Sequence, residues 1–213
     1  TSRGRILIAE DNLVNQTVAV RMVEKLGYLA HVAVNGKVAL EALQTQAYDA
    51  ILMDCHMPEM DGFEATARIR QLMGPLSRIP VIALTANAIQ GDREACLKAG
   101  MNDYLAKPVT TDKLKEALER WVAQPGEREP IPETTPPPES EEPIIDEHVL
   151  DGLRELQEPG EEDLVAEILL VFRIDAARQI ALLNSSLDSG DLVTAHRAAH
   201  TLKGSALNVG ARR

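Results

Sequence analysis

Ala50-Ile51-Leu52-Met53-Asp54-Cys55-His56-Met57-Pro58-Glu59-Met60-Asp61-Gly62 is the stretch that decides the fold of this chain. A short apolar run ends in a single acid, and turn-forming residues come next. Three other stretches repeat the design. Ile6-Leu7-Ile8-Ala9 leads into Glu10-Asp11, Val81-Ile82-Ala83-Leu84 into Thr85, and Tyr104-Leu105-Ala106 into Lys107-Pro108. Short apolar runs alternating with helical patterns predict a parallel sheet covered on both faces. The expected fold class is therefore α/β, a (βα)5 doubly wound parallel sheet. In such a sheet the strand ends share one edge, and ligands bind there. Glu10, Asp11, Asp54, Thr85 and Lys107 are expected to meet in one small pocket.

Three carboxylates in one cleft repel one another. At ~4 Å and an effective dielectric of ~20, each pair costs roughly 4 kcal/mol. The pocket must hold a proton, bind a cation, or use the lysine as a counter-ion. Oxygen-only ligands with room for water suit Mg²⁺ better than zinc. A cation and an ammonium flanking one carboxylate make a cradle for a phosphoryl group, neutralising its equatorial oxygens during attack. Asp54, alone on its strand, is the natural nucleophile, and the product would be an aspartyl phosphate. Thr85 can donate a hydrogen bond to the phosphoryl oxygen, and Lys107 can pair with it as a point charge. Any one of these pieces alone is compatible with simple helix capping. All four, in order, at successive strand ends are not.

Residues from about 4 to 123 resemble a receiver domain of two-component signalling. The resemblance rests on Asp54 to Gly62, on Ala9-Glu10-Asp11-Asn12, and on Asp103-Tyr104-Leu105-Ala106-Lys107-Pro108. It implies a flavodoxin-like fold, with Asp54 as phospho-acceptor. It also implies that Asp11, Asp54 and the backbone carbonyl of His56 ligate Mg²⁺ directly, with Glu10 acting through water. Glu10 stands where the family more often has Asp. A cis Lys107-Pro108 bond is implied too, as is a switch in which the Thr85 hydroxyl moves toward the phosphoryl group and Tyr104 turns into the space that opens.

The length of 213 residues allows one or two domains with real cores. The net charge of -11 makes the chain a poor nucleic-acid binder, since it repels phosphates. No stretch is long and apolar enough to span a bilayer, so no membrane contact by this segment is expected. No signal peptide is visible and the chain opens Thr1-Ser2, so it reads as a piece of something larger. Two cysteines, Cys55 and Cys96, fit a reducing cytoplasm better than a disulfide framework. Cys55 and His56 adjoin Asp54, but a Cys–His catalytic pair has no other support.

The composition changes after the last receiver helix. Gln124 to Pro143 holds seven prolines and six glutamates, which cannot form a core. It reads as a flexible tether reaching on the order of 60 Å, with an SH3-type ligand in Pro136-Pro137-Pro138 the weaker alternative. The expected organisation is a receiver over 1–123, a linker over 124–143 and a partial all-α bundle over 144–213. Helices are expected from Asp146 to about Gln157, from Glu161 to about Leu187, and from about Leu192 to Val209.

The last of these carries Ala199-His200-Thr201-Leu202-Lys203-Gly204-Ser205-Ala206. A glycine inside a helix costs roughly 1 kcal/mol against alanine, so Gly204 needs a reason. It lies one turn after His200, where a bare backbone admits another active site. Lys203 can offset phosphate charge, and a neutral imidazole is a competent nucleophile toward phosphoryl groups. The segment resembles the histidine phosphotransfer (HPt) module. His200 maps to its phospho-histidine, and Lys203 and Gly204 map to its supporting positions. A zinc pair of His196 with His200 lacks other evident ligands. The family's module is a four-helix bundle, and the sequence stops just past the His200 helix, so the module reads as truncated. Two amphipathic helices would then leave an apolar stripe uncovered, and self-association or fraying is expected.

The leading functional expectation is a phosphorelay segment from the C-terminal part of a hybrid sensor histidine kinase. An upstream histidine kinase domain supplies the phosphoryl group, and a downstream response regulator is the further partner. No ATP-binding glycine loop is present. Two other classes stay open: a metal-dependent phosphohydrolase, for which His56 stands where a general acid is needed, and an interaction module that is never phosphorylated. The cytoplasm is the expected location.

Overall fold

The structure is a computed structural model and describes residues 2–85, 90–123, 145–157, 160 and 163–211. The proline-rich linker expected over 124–143 lies outside the described residues.

Five strands form one parallel sheet: β1 (Arg5–Ala9), β2 (Leu29–Ala33), β3 (Ala50–Asp54), β4 (Val81–Thr85) and β5 (Asp103–Ala106). Their order is β2-β1-β3-β4-β5, and every pairing is parallel. The chain reverses direction across the sheet at β1, so a crevice opens beside the ends of β1 and β3. The helices α1 (Leu13–Lys25), α2 (Gly36–Thr45), α3 (Gly62–Gln71), α4 (Gln90–Lys98) and α5 (Thr111–Leu118) connect and flank the strands. A π-type turn, Glu119–Ala123, extends α5.

Side chains alternate across each strand, so the sheet builds two cores. Ile6, Ile8, Leu52, Ile82 and Leu84 face α1 and α5. Leu7, Ala9, Ile51, Met53, Val81 and Ala83 face the other side with α2 and α3 residues Ala39, Leu43, Ala65 and Ile69. Local signals in the sequence set several helix ends. The Asp61 carboxylate accepts from the Glu64 N–H at 2.8 Å and starts α3. Gly27 and Gly100 come after α1 and α4 with φ of 86° and 93°.

Three more helices complete the chain: α6 (Glu147–Glu155), α7 (Leu164–Ser189) and α8 (Leu192–Asn208). Asp163 caps α7, its carboxylate accepting from the N–H groups of Val165 and Ala166, while the start expected at Glu161 lies outside the described residues. Gly190, with φ of 73°, ends α7, and Asp191 caps α8.

The helical region is not a body apart from the sheet domain. Helix α1 packs against both α7 and α8. Leu153, Leu156, Leu164, Val165, Ile168 and Val209 join the same apolar cluster as Val14, Val18 and Met22. The expected bare stripe is therefore covered over its first turns by α1, a helix whose two faces both carry apolar residues. Further along, Leu170, Ile174, Leu187, Leu192 and Val193 remain exposed. Among the described residues no helix is long and apolar enough to cross a membrane.

Candidate functional site

Each predicted receiver residue sits at the carboxyl end of its strand, and the register brings them together. Ile8 pairs with Leu52, Leu52 with Ile82, and Thr85 with Ala106, so the four strand ends lie level. Glu10, Asp11 and Asp54 offer oxygens that all lie within 4.8 Å of one another. Lys107 reaches in from the end of β5, across a cis Lys107-Pro108 bond. Its Nζ donates to Glu10 Oε2 and to Asp54 Oδ2, both at 2.7 Å. The lysine thus serves as a counter-ion within the acid cluster.

Further hydrogen bonds hold the pocket's polar groups in place. The His56 N–H donates to Asp54 Oδ1 at 3.2 Å. The Asn15 side-chain amide donates to Glu10 Oε1 at 2.9 Å. Thr85 is buried on β4, and its carbonyl accepts from the Lys107 N–H at 2.7 Å. Tyr104 is half-buried on β5 and packs against the second core.

Burial, and then the charge of Asp54, raises Glu10 from 4.5 to about 8 and Asp11 from 3.8 to about 6. Burial also disfavours the Asp54 carboxylate, but Lys107 beside it prevails and holds it below its usual value. Lys107 loses hydration by burial, yet Asp54 and Glu10 raise it and keep it charged. The cluster thus concentrates negative charge that one lysine does not balance. Its donors are all oxygen, and Asp11 is half-buried beside a cleft of about 500 Å³. That combination fits a hard divalent cation.

Cys55 points away from this chemistry. Its Sγ lies 3.8 Å from Cys96 Sγ in the second core. Contact with Cys96 and burial push the thiol up, so it is not a nucleophile.

The second predicted site lies against the first. The His200 ring meets the His56 ring edge-on, with centroids 4.4 Å apart. Burial, then the neighbouring His56, lowers His200 to about 4, so its imidazole is neutral near pH 7. His196 stacks 6.4 Å from His200 on the exposed side. Among the described residues, the cluster suited to a metal is the acid trio, and the histidines form none. Lys203 is exposed on α8. Gly204 is buried, and the nearest atom to a Cβ built there is Asn15 Nδ2 at 3.6 Å. The active site that its bare backbone admits is this chain's own receiver, through α1.

That distance makes a prediction. Gly204→Ala fits as an ordinary contact and is expected to stabilise α8 by up to about 1 kcal/mol. Gly204→Leu has no such room and is expected to lift α8 off α1. Hydrogen exchange of the α1 amides would rise in the leucine variant and not in the alanine one.

Several partnerships in this region are not legible in the sequence. Asn12 Oδ1 caps α1 by accepting from the Asn15 N–H at 3.1 Å, while Asn12 Nδ2 donates to Asp175 of α7 at 2.6 Å. Asn208 of α8 donates to Asn15 at 2.9 Å. Asn12 was legible as a helix cap ahead of an apolar run. Its partners 163 and 193 positions away from the α1 asparagines were not.

Comparison with known proteins agrees with this geometry. Residues 6–119 match the family described as "Response regulator receiver domain", and residues 167–213 match the "Hpt domain". The Dictyostelium discoideum "Hybrid signal transduction protein dokA" is 47% identical over 117 residues, covering 55% of this chain and 7% of that protein. "Probable histidine kinase 1" of Oryza sativa subsp. indica is 38% identical over 152 residues, covering 57% of this chain and 16% of that protein. The chain thus spans only a small part of the relatives it matches.

Among solved structures, the receiver domain of sensor histidine kinase PA1611 from Pseudomonas aeruginosa carries a magnesium ion in its active-site cleft. It is 51% identical, covers 57% of this chain and 98% of that one, and superposes with a TM-score of 0.54. A chain of the co-crystal of the Saccharomyces cerevisiae phosphotransfer protein Ypd1 with the receiver of its downstream response regulator Ssk1 is 30% identical. It covers 56% of this chain and 88% of that one, with a TM-score of 0.52. The acid trio with a buried lysine bonded to Glu10 and Asp54 at the edge of a β2-β1-β3-β4-β5 sheet, and a histidine helix laid against it, goes with these matches: the chain belongs to the response regulator receiver family, and its residues 167–213 behind the receiver match the Hpt domain.

Proposed function

We propose that Asp54 accepts a phosphoryl group from a phospho-histidine and that His200 relays it. In the first step an Asp54 carboxylate oxygen attacks phosphorus, the P–N bond breaks, and the donor imidazole leaves with the electron pair. In the second, a neutral His200 nitrogen attacks the aspartyl phosphate, the P–O bond breaks, and the Asp54 carboxylate leaves. Both steps are reversible, so the direction of flow depends on the phosphorylation state of the partners.

The observation that carries this reading is the buried ammonium of Lys107, held 2.7 Å from Asp54, with the neutral imidazole of His200 beside His56 two residues further on. Lys107 neutralises charge on the transferring group, and its second contact, to Glu10, keeps it pointed inward. In this reading Thr85 donates its hydroxyl to a phosphoryl oxygen, and Tyr104 reports that movement at the surface. Glu10, Asp11, Asp54 and the His56 carbonyl are the groups that would hold Mg²⁺. When bound, the ion neutralises phosphoryl oxygens. The support for that assignment is the all-oxygen trio in this chain and the magnesium ion in the similar PA1611 receiver.

In the same reading the parent protein is a hybrid histidine kinase working in the cytoplasm. An upstream kinase domain is the donor, and a downstream response regulator is the acceptor of phosphate from His200.

The test is incubation of the chain with acetyl phosphate and Mg²⁺, with intact mass as the readout. One added phosphoryl group is expected in the unsubstituted chain and none in Asp54→Asn. His200→Gln is expected to retain the base-labile aspartyl phosphate and to lose the acid-labile, base-stable phosphate on histidine. An unlabelled chain would point to an interaction module that is never phosphorylated. Turnover of small phosphate esters would point to a phosphohydrolase. Either result overturns the proposal.

A further inference from the structure

Helix α8 carries His200, Gly204 and Asn208 at i, i+4 and i+8, one face of a helix. All three meet the receiver. His200 lies on His56, Gly204 lets α8 approach Asn15, and Asn208 lies beyond it. The Asn208 side-chain N–H donates to Asn15 Oδ1 at 2.9 Å. Asn15 Nδ2 in turn donates to Glu10 Oε1 at 2.9 Å. Glu10 Oε2 accepts from Lys107, which also holds Asp54. Asn208, Asn15 and Glu10 are 6%, 4% and 0% exposed, so bulk solvent does not compete for these bonds. The same three residues and Lys107 line a cavity of about 20 Å³.

An amide in the middle of such a chain has only two useful orientations. With its oxygen held by a donor on α8, Asn15 must present N–H to Glu10. With its N–H drawn toward an acceptor on α8, it must present oxygen to Glu10, and a carboxylate facing that oxygen turns away. What α8 offers at position 208 therefore sets where the Glu10 carboxylate points.

We propose that Asn208 and Asn15 are positioning residues that couple docking of the histidine helix to cation binding in the acid pocket. Docked α8 holds Glu10 in the orientation that faces Asp11 and Asp54. By linkage, a cation in the pocket tightens the docking of α8 by the same factor. This rests on the reading of the acid trio as the Mg²⁺ site. It adds that a residue from the phosphotransfer helix, remote from any ligand atom, tunes that site.

The experiment is calorimetric titration of the full chain with Mg²⁺. Asn208→Asp keeps the shape of the side chain and replaces its donor with an acceptor. It is expected to weaken Mg²⁺ binding by about tenfold, the usual scale for residues that orient a metal ligand. Simple electrostatics predicts the opposite, because an added negative charge attracts the cation. In an Asn15→Ala background, Asn208→Asp is expected to leave the affinity unchanged. Unweakened binding in Asn208→Asp, or the same loss in both backgrounds, would overturn the coupling.

A second measurement needs no variant. Addition of Mg²⁺ to the unsubstituted chain is expected to shift the side-chain amide resonances of both Asn15 and Asn208, and an unmoved Asn208 signal would also overturn it. An unsubstituted chain that binds no Mg²⁺ would sink the metal reading and this coupling together. Binding that is indifferent to Asn208 would sink the coupling alone.

Discussion

Lys107→Met is expected to destabilise the chain by about 3 kcal/mol at neutral pH, because it removes one partner of a buried ionic cluster. Lys107, Glu10 and Asp54 all have side chains 5% exposed or less, so solvent cannot take over the lysine's role. The cost depends on pH with a defined sign. Lys107 holds the folded Asp54 below its ordinary value, so the stabilisation from this pair is present above about pH 4 and is lost as pH falls through the depressed value. The difference between Lys107→Met and the unsubstituted chain should therefore shrink on acidification. Glu10 and Asp11 behave in the opposite sense. Their folded-state values are raised to about 8 and about 6, so their contribution is full below the ordinary carboxylate range and declines as pH rises through those values. In divalent-free buffer, Glu10→Gln should gain stability relative to the unsubstituted chain between pH 5 and pH 8. Urea unfolding at three pH values measures both trends. A Lys107→Met penalty that is unchanged at low pH would show that the lysine acts by packing rather than by charge.

Gly62→Ala is the second large effect. A Cβ at this position would lie 2.1 Å from the Asp54 carbonyl oxygen and 2.9 Å from Met53 Cγ. The first is backbone and cannot rotate away. Either α3 moves outward, breaking the Gly62 N–H bond to the Cys55 carbonyl, or the end of β3 moves. Both displace the loop that carries Asp54 and His56. The expected loss is about 3 kcal/mol, at the upper end for overpacking, together with a marked loss of acetyl-phosphate labelling on Asp54. At Gly204, by contrast, alanine has room. Two glycines of similar appearance in the sequence thus separate sharply: one permits contact with its own strand end, the other the approach of a neighbouring helix. Thermal unfolding and intact mass of Gly62→Ala, set beside Gly204→Ala, measure the contrast.

The receiver half was legible because its signals are local. Four apolar runs each end in a polar residue, and a parallel sheet aligns strand ends by hydrogen-bond register alone, so Glu10, Asp54, Thr85 and Lys107 had to converge. Cap residues marked helix starts in the same local way, as Asp61 does for α3. For Glu10 the receiver resemblance implies a group acting on the cation through water. In the structure its two oxygens are already taken up by Lys107 and Asn15. That partnership depends on where a lysine 97 positions away ends up.

The helical half shows the limit more clearly. Its helices and the His200 signature come from periodicity and from a glycine that needed a reason. Its docking does not, because the proline-rich stretch ahead of it reads as a tether, and a tether leaves the placement of α6, α7 and α8 open. Whether the apolar stripe of α7 is covered depends on α1 having a second apolar face at the right height, a property of two surfaces at once.

From sequence alone come the sheet, the acids and lysine at its strand ends, and the histidine helix, since each strand and helix is encoded in contiguous residues whose spacing matches one backbone period. Tertiary structure alone decided that His200 rests on His56 of the receiver, and that Asn208 reaches Glu10 through Asn15. Those contacts join residues far apart in the chain. Their energies exist only after the backbone has folded and excluded water, and no local pattern records them.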